Sequence, residues 1–156
     1  MIDSTRKVAE EGKDREMRQN NIVIFRVPEV GESERAQLDR QYCQDLIKNV
    51  FDIQDDCIKA AFRLGKKATT SGRPILVQLK ERAIKNRIME SLSKLKHAPE
   101  EFKNIGISHD LTPSDRENCK KMVAEAKEKQ LNEKGEYLWR VRGPPGQMKV
   151  MKIRKQ

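Results

Sequence analysis

The chain carries little of what catalysis needs. It has two histidines and three cysteines in 156 residues. His97 and His109 lie far apart with no partner constellation, and Cys43, Cys57 and Cys119 are an odd number without metal-ligand spacing. Cys43 sits beside the apolar stripe of one helical segment and Cys119 within another, so these read as buried or bystander thiols. No Gly-rich loop followed by Lys-Ser/Thr is present, and no carboxylates are paired in an apolar setting. No metal, cofactor or catalytic residue is therefore expected. Long apolar runs are missing too. None is long enough to cross a membrane, and the N-terminus lacks the apolar core of a secretory signal, which points to a soluble intracellular protein. Aromatic residues make up only 4%, with Trp139 the single tryptophan.

Positive charge is abundant, and it is unevenly placed. The formal net charge is +9: residues 1–20 are neutral, 21–57 carry −4, 58–104 carry +8, Asp110 adds −1, and the +6 of 111–156 resides in the last twenty residues. Two basic blocks on consecutive structural units favour a polyanionic partner over a merely solvated surface.

Two stretches alternate at period two and read as the central strands of one sheet: Asn21 to Val27, with Ile22, Ile24 and Val27 inward, and Arg73 to Lys80, with Ile75, Val77 and Leu79 inward. Each precedes a helical pattern. The first is Leu38, Tyr42, Leu46 and Val50, capped by Ser33 and running to about Phe51; the second is Ile84, Ile88, Leu92 and Leu95, over 82–96, with Lys85, Arg87, Lys94 and Lys96 off the stripe. Ile58 to Leu64 and Ile105 to His109 supply two more strands. The pattern predicts an α+β fold, a split β-α-β-β-α-β ferredoxin-like sandwich with both helices on one face. Thr112-Pro113-Ser114-Asp115 then starts a helix to about Leu131 carrying Cys119, Met122, Val123 and Ala126, and Tyr137 to Arg142 and Met148 to Ile153 flank the turn Gly143-Pro144-Pro145-Gly146 as a hairpin. The expected organisation is a helical or disordered extension over 1–18, a domain over 19–110, and a small helix-plus-β-hairpin domain over 111–156.

Binding residues concentrate on loops and free faces. Arg63, Lys66, Lys67 and Arg73 flank or occupy the loop Gly65 to Gly72, and Arg140, Arg142, Lys149, Lys152 and Arg154 line the hairpin. By architecture the first domain is similar to an RNA-recognition motif, whose central-strand aromatics stack on bases. Here only Phe25, next to Arg26, points outward from those strands, so phosphate contacts must dominate. Trp139 and Tyr137 read chiefly as packing residues.

The runs NNIVIFRVPE (20–29), RPILVQL, KNRIMESL and YLWRVRGPPGQMKVMKI together resemble the first-open-reading-frame RNA-binding protein of LINE-type non-LTR retrotransposons, over about 19–153. The resemblance implies a nucleic-acid chaperone that coats the element's transcript in a cytoplasmic ribonucleoprotein, with a nuclear location also open. It implies single-stranded RNA, and with it single-stranded DNA, in a basic cleft between the two domains, and an arginine at the position of Arg63. It also implies homo-oligomerisation through a coiled coil N-terminal to this segment, of which 1–18 would hold the tail. Two rivals stand beside it. One is a protein-interaction module on the same fold, favoured by the aromatic-poor sheet; the other is an acylphosphatase-like hydrolase, disfavoured by the missing phosphate loop.

Overall fold

The computed structural model describes residues 4–29, 35–66 and 72–155. The expected cap Ser33 and the contact candidate Lys67 lie outside them. Elements follow in the order α1 (Ser4–Met17), β1 (Asn21–Phe25), α2 (Arg35–Asn49), β2 (Ile58–Arg63), β3 (Ile75–Leu79), α3 (Arg82–Glu90), a 3-10 segment (Leu92–His97), α4 (Glu100–Lys103), β4 (Gly106–His109), α5 (Pro113–Leu131), β5 (Tyr137–Arg142) and β6 (Lys149–Arg154). The chain divides into two units, Gln19–Asp110 and a second made of Met1–Arg18 with Leu111–Gln156.

The 19–110 unit is α+β, with a four-stranded antiparallel sheet in the order β2-β3-β1-β4. β-Branched residues at alternate positions put Ile22, Ile24, Ile75 and Val77 on one face, all fully buried, and Leu46, Ile47 and Ile88 from α2 and α3 close over them. Each such side chain contributes about 1.5–3 kcal/mol by leaving water. Phe102 of the short α4 is equally buried and meets Tyr42 with ring centroids 5.1 Å apart, while the Tyr42 hydroxyl donates to the Glu101 carbonyl at 2.7 Å.

Four expectations about these helices need correction. The α2 stripe is rotated: Asp39, Cys43, Leu46 and Ile47 face the core, and Leu38 is 49% exposed. Four-residue steps advance 400° rather than 360°, so a stripe spaced only by fours drifts around the helix, and Asp39 is held inside by a partner described below. The helix ends at Asn49, where Asp52 adopts φ 56° and the Ile53 N–H returns to the Ile47 carbonyl at 3.2 Å. The second helix breaks at Ser91, whose N–H bonds three residues back to Ile88; beyond it Leu92 and Leu95 are three apart, the spacing that a 3-10 turn places on one side, and both remain packed on the core. Finally, Lys85 is 4% exposed rather than off the stripe. Its neighbour across the sheet edge is His109, on the inward face of β4.

In the other unit, Thr112 caps α5 by accepting from the Asp115 N–H, with Pro113 as the first helical residue. The Asp115 carboxylate does not reach back to complete a capping box. It receives both Nε and a terminal nitrogen of Arg15 from α1 at 2.9 Å each, and the Thr112 hydroxyl donates to Glu11 at 3.3 Å. Arg15 thereby holds the Asp115 carboxyl below its ordinary range. Residues 4–17 are thus a helix fastened to α5, not a separate extension. β5 and β6 form the two-stranded hairpin, and Gly143 and Gly146 supply the positive φ values, 117° and 84°, that its turn requires. A Cβ on Gly146 would lie 2.8 Å from the Arg15 guanidinium carbon, so the turn is closed against the same arginine.

Candidate nucleic-acid interface

On the 19–110 unit, the sheet face opposite the helices is built by the outward residues of each strand. Register aligns Phe62, Leu76, Val23 and Ser108 in one row across all four strands, and Phe25 opposite Gly106 in the next. Val23 and Leu76 are largely closed off, whereas Phe25 and Phe62 are 36% and 44% exposed. Water-facing strands ordinarily carry polar residues here, so two open rings on one face offer flat or apolar groups something to pack against. Arg26 extends it. Its φ of 66° swings the side chain back over β4, where Nε donates to the Asn104 carbonyl at 2.8 Å and the guanidinium lies over Gly106, close enough that a Cβ there would be 2.8 Å away. Phe25 and Arg26 are therefore brought together, and Phe62 shares their face with β3 lying between.

The loop arginines have a different job. Arg63 is buried, its side chain 3% exposed, and all five of its N–H groups are engaged. Nε and one terminal nitrogen grip Asp39 at 2.9 and 2.8 Å; the remaining donors reach the carbonyls of Val27, Arg73 and Pro28 at 2.6, 2.6 and 3.0 Å. Nothing is left for a phosphate. Arg63 clamps the end of β1, the approach to β3 and helix α2 to one another. Arg73 is similarly engaged: its guanidinium holds both Glu29 oxygens at 3.0 and 3.2 Å and the Gly65 carbonyl at 2.9 Å, and its own backbone N–H also donates to Glu29 at 2.9 Å. These bonds from Arg73 hold the Glu29 carboxyl down at about 2. Of the four expected loop contacts, Arg63 and Arg73 thus belong to the scaffold, Lys67 lies outside the described residues, and Lys66 is exposed.

The hairpin presents its cations openly. Opposed residues in an antiparallel pair share a face, so Arg140 and Arg142 lie with Met151 and Lys149 on one side, and Lys152 and Arg154 with Trp139 and Tyr137 on the other. All five expected basic contacts are exposed. Arg140 and Arg142 each give one N–H to the backbone of their own strand, and among the described residues neither they nor Lys149 has an ion-pair partner. Arg154 has only Glu136 at 3.8 Å, both side chains 77% exposed, a pair worth little in water. Trp139 is anchored to α5 and the residues just beyond it: its backbone N–H donates to Gln130 at 2.8 Å and its indole Nε1 to Glu133 at 3.2 Å.

Two features escape a reading by composition. Phe62 was legible in principle, since its outward parity follows from Ala61 packing inward, but only the central strands invite the question of stacking. The Lys85 and His109 pair was not legible. Burial lowers the Lys85 amine, and burial next to that ammonium pushes His109 down to about 4; the His109 Nδ1 is buried and has no hydrogen-bond partner among the described residues. Burial likewise pushes the Cys43 thiol up to about 12, which suits a packing residue and not a nucleophile. Among the described residues no group of three or more histidine, cysteine, aspartate or glutamate side chains is placed to hold a metal ion, and no helix is long and apolar enough to cross a membrane. No protein-family model matches the chain, and a search of the curated proteins finds no match.

Proposed function

We propose that this chain is a non-enzymatic, sequence-tolerant single-strand RNA-binding protein with chaperone activity, of the kind that LINE-type retrotransposons encode in their first open reading frame. The strand order β2-β3-β1-β4 with helices on one face supports reading the 19–110 unit as a ferredoxin-like, RNA-recognition-motif-like sandwich. The observation that carries the functional reading is the hairpin. Arg140, Arg142 and Lys149 stand on one face without a carboxylate among the described residues to balance them, and a surface that keeps like charges together at the cost of repulsion is explained by a polyanion. The open rings of Phe25 and Phe62 favour single strands, whose bases are free to stack, over duplexes. Phosphate contact would come from the hairpin and Lys66, and the Phe25, Arg26 and Phe62 face would take bases without reading their edges.

Salt-titrated binding of single-stranded and duplex RNA and DNA tests this. For about five phosphate contacts the log-log slope on single strands should be roughly −3.5, taking about −0.7 per contact. Arg140→Glu with Arg142→Glu should keep the melting temperature within a few degrees and weaken RNA binding at least ~10-fold, about 1.4 kcal/mol. Wild-type affinity in that folded double variant would refute the reading. The exposed Phe25 and Phe62 face also suits a protein-interaction module, and saturable binding to a peptide with none to RNA at low salt would establish that alternative instead.

A further inference from the structure

On the Tyr137 face of the hairpin, lysine ammonium groups cover the aromatic rings. Lys152 lies 4.1 Å from the Tyr137 ring centroid and 5.8 Å from that of Trp139, and Lys129 from α5 lies 4.8 Å from Trp139. Strand register sets Lys152 directly opposite Trp139 and Arg154 directly opposite Tyr137. Tyr137 is 37% exposed. No carboxylate pairs with Lys152 among the described residues, so the π faces are what its charge has found.

That arrangement suits an exchange. A phosphate offers an ammonium a full negative charge in place of a ring quadrupole, and a base offers the vacated ring a flat partner of matching size. Both arrive together on a single strand, roughly one nucleotide apart. We infer that Tyr137 and Trp139 form a base-stacking site for single-stranded nucleic acid that is covered in the free protein by Lys152 and Lys129 and opens when phosphates draw these lysines away. This rests on the single-strand reading above and adds to it a base-dependent contact on the hairpin, where charge alone would bind phosphate without regard to bases.

The test uses the full chain with two probes of equal length and charge, an oligouridylate and an abasic single strand. Trp139, the only tryptophan, reports directly. The oligouridylate should quench Trp139 emission on binding and the abasic strand should bind without that quench. Tyr137→Leu should weaken oligouridylate about tenfold and leave the abasic strand unaffected, while Lys152→Gln should weaken both. Equal quenching by the two strands, or equal losses in a folded Tyr137→Leu variant, would overturn the stacking site while leaving the electrostatic binding intact. If neither strand binds the wild-type chain, the inference and the reading beneath it both fall. The emission comparison needs no substitution, so it decides the matter even where Tyr137→Leu does not fold.

Discussion

Arg63→Ala should unfold the 19–110 unit or come close to it. The substitution removes the only side chain that pairs with the buried Asp39 among the described residues, and strips donors from the carbonyls of Val27, Pro28 and Arg73. Breaking a buried ion pair from one side costs about 3–5 kcal/mol, because the remaining charge stays desolvated. The three carbonyls gain access to water through the space left by the guanidinium, so they add little beyond this. A unit of some 90 residues has roughly 5–14 kcal/mol in all. A loss of about 4 kcal/mol is then a large share of the total, and at roughly 4–8 °C per kcal/mol it should lower the melting temperature by about 15–30 °C. Urea unfolding followed by far-ultraviolet circular dichroism measures it. Lys66→Ala, three residues along on the exposed loop, should stay within about 0.5 kcal/mol. Arg63→Met with Asp39→Leu should recover most of the loss, since replacing both partners by apolar groups leaves no buried charge. An Arg63→Ala variant that unfolds within 1 kcal/mol of the parent with an unchanged m-value would refute the clamp role of Arg63, above all if it also loses RNA binding.

Other outcomes follow from the same geometry. His109 titrates near 4 in the fold against about 6.5 unfolded, so its neutral form stabilises the fold above pH 6.5 and that contribution drains away as pH falls toward 4, by at most about 3 kcal/mol; Lys85 is the charged group that acts on it, and Arg82 and Asp110 act in turn on Lys85. Between pH 6.5 and 5, before carboxylates titrate, stability should fall in the parent and stay level in His109→Gln; equal slopes would show that the imidazole is solvated. Val77→Asp puts a charge into a fully buried position between the sheet and its helices and should abolish folded 19–110 unit, whereas Gln78→Asp on the opposite face should be tolerated. Asp115→Asn should loosen α1 from α5, seen as faster amide exchange in residues 7–17 with the 19–110 unit unchanged; equal protection in both proteins would show that the Arg15 contact adds nothing.

The inward faces of β1 and β3 were legible because β-branched residues at strict period two suit a pleated, half-buried strand and little else. The start of α5 and the hairpin turn were legible because threonine before proline, and a Gly-Pro-Pro-Gly run, answer local backbone demands. What the sequence hid was tertiary. Asp39 and Arg63 are 24 residues apart and Arg15 and Asp115 are 100 apart, and nothing local distinguishes a buried arginine from an exposed one in a basic stretch. Counting charge therefore assigned Arg63 and Arg73 to solvent, although each is neutralised by a carboxylate from the acidic segment before it. The hairpin cations are exposed, and Glu136 is the one acidic residue within ion-pair reach of them among the described residues. Lys85 was misplaced for a related reason: its long apolar stem lets a lysine occupy a core-facing helix position that pattern alone reserves for leucine or isoleucine.

The pairing of α1 with α5 makes one folding unit out of segments that flank residues 19–110 in sequence. Synthesis runs from one end to the other, so the inner unit has every residue it needs while α1 still waits for Thr112 and Asp115. The order of events on the ribosome is then inside first, ends last. Arg15 and Glu11 emerge early and have to remain uncombined for roughly a hundred residues of elongation, during which α1 has no native surface to rest on. A nascent chain stalled just after Asp110 should already protect the sheet from protease while α1 is still cut.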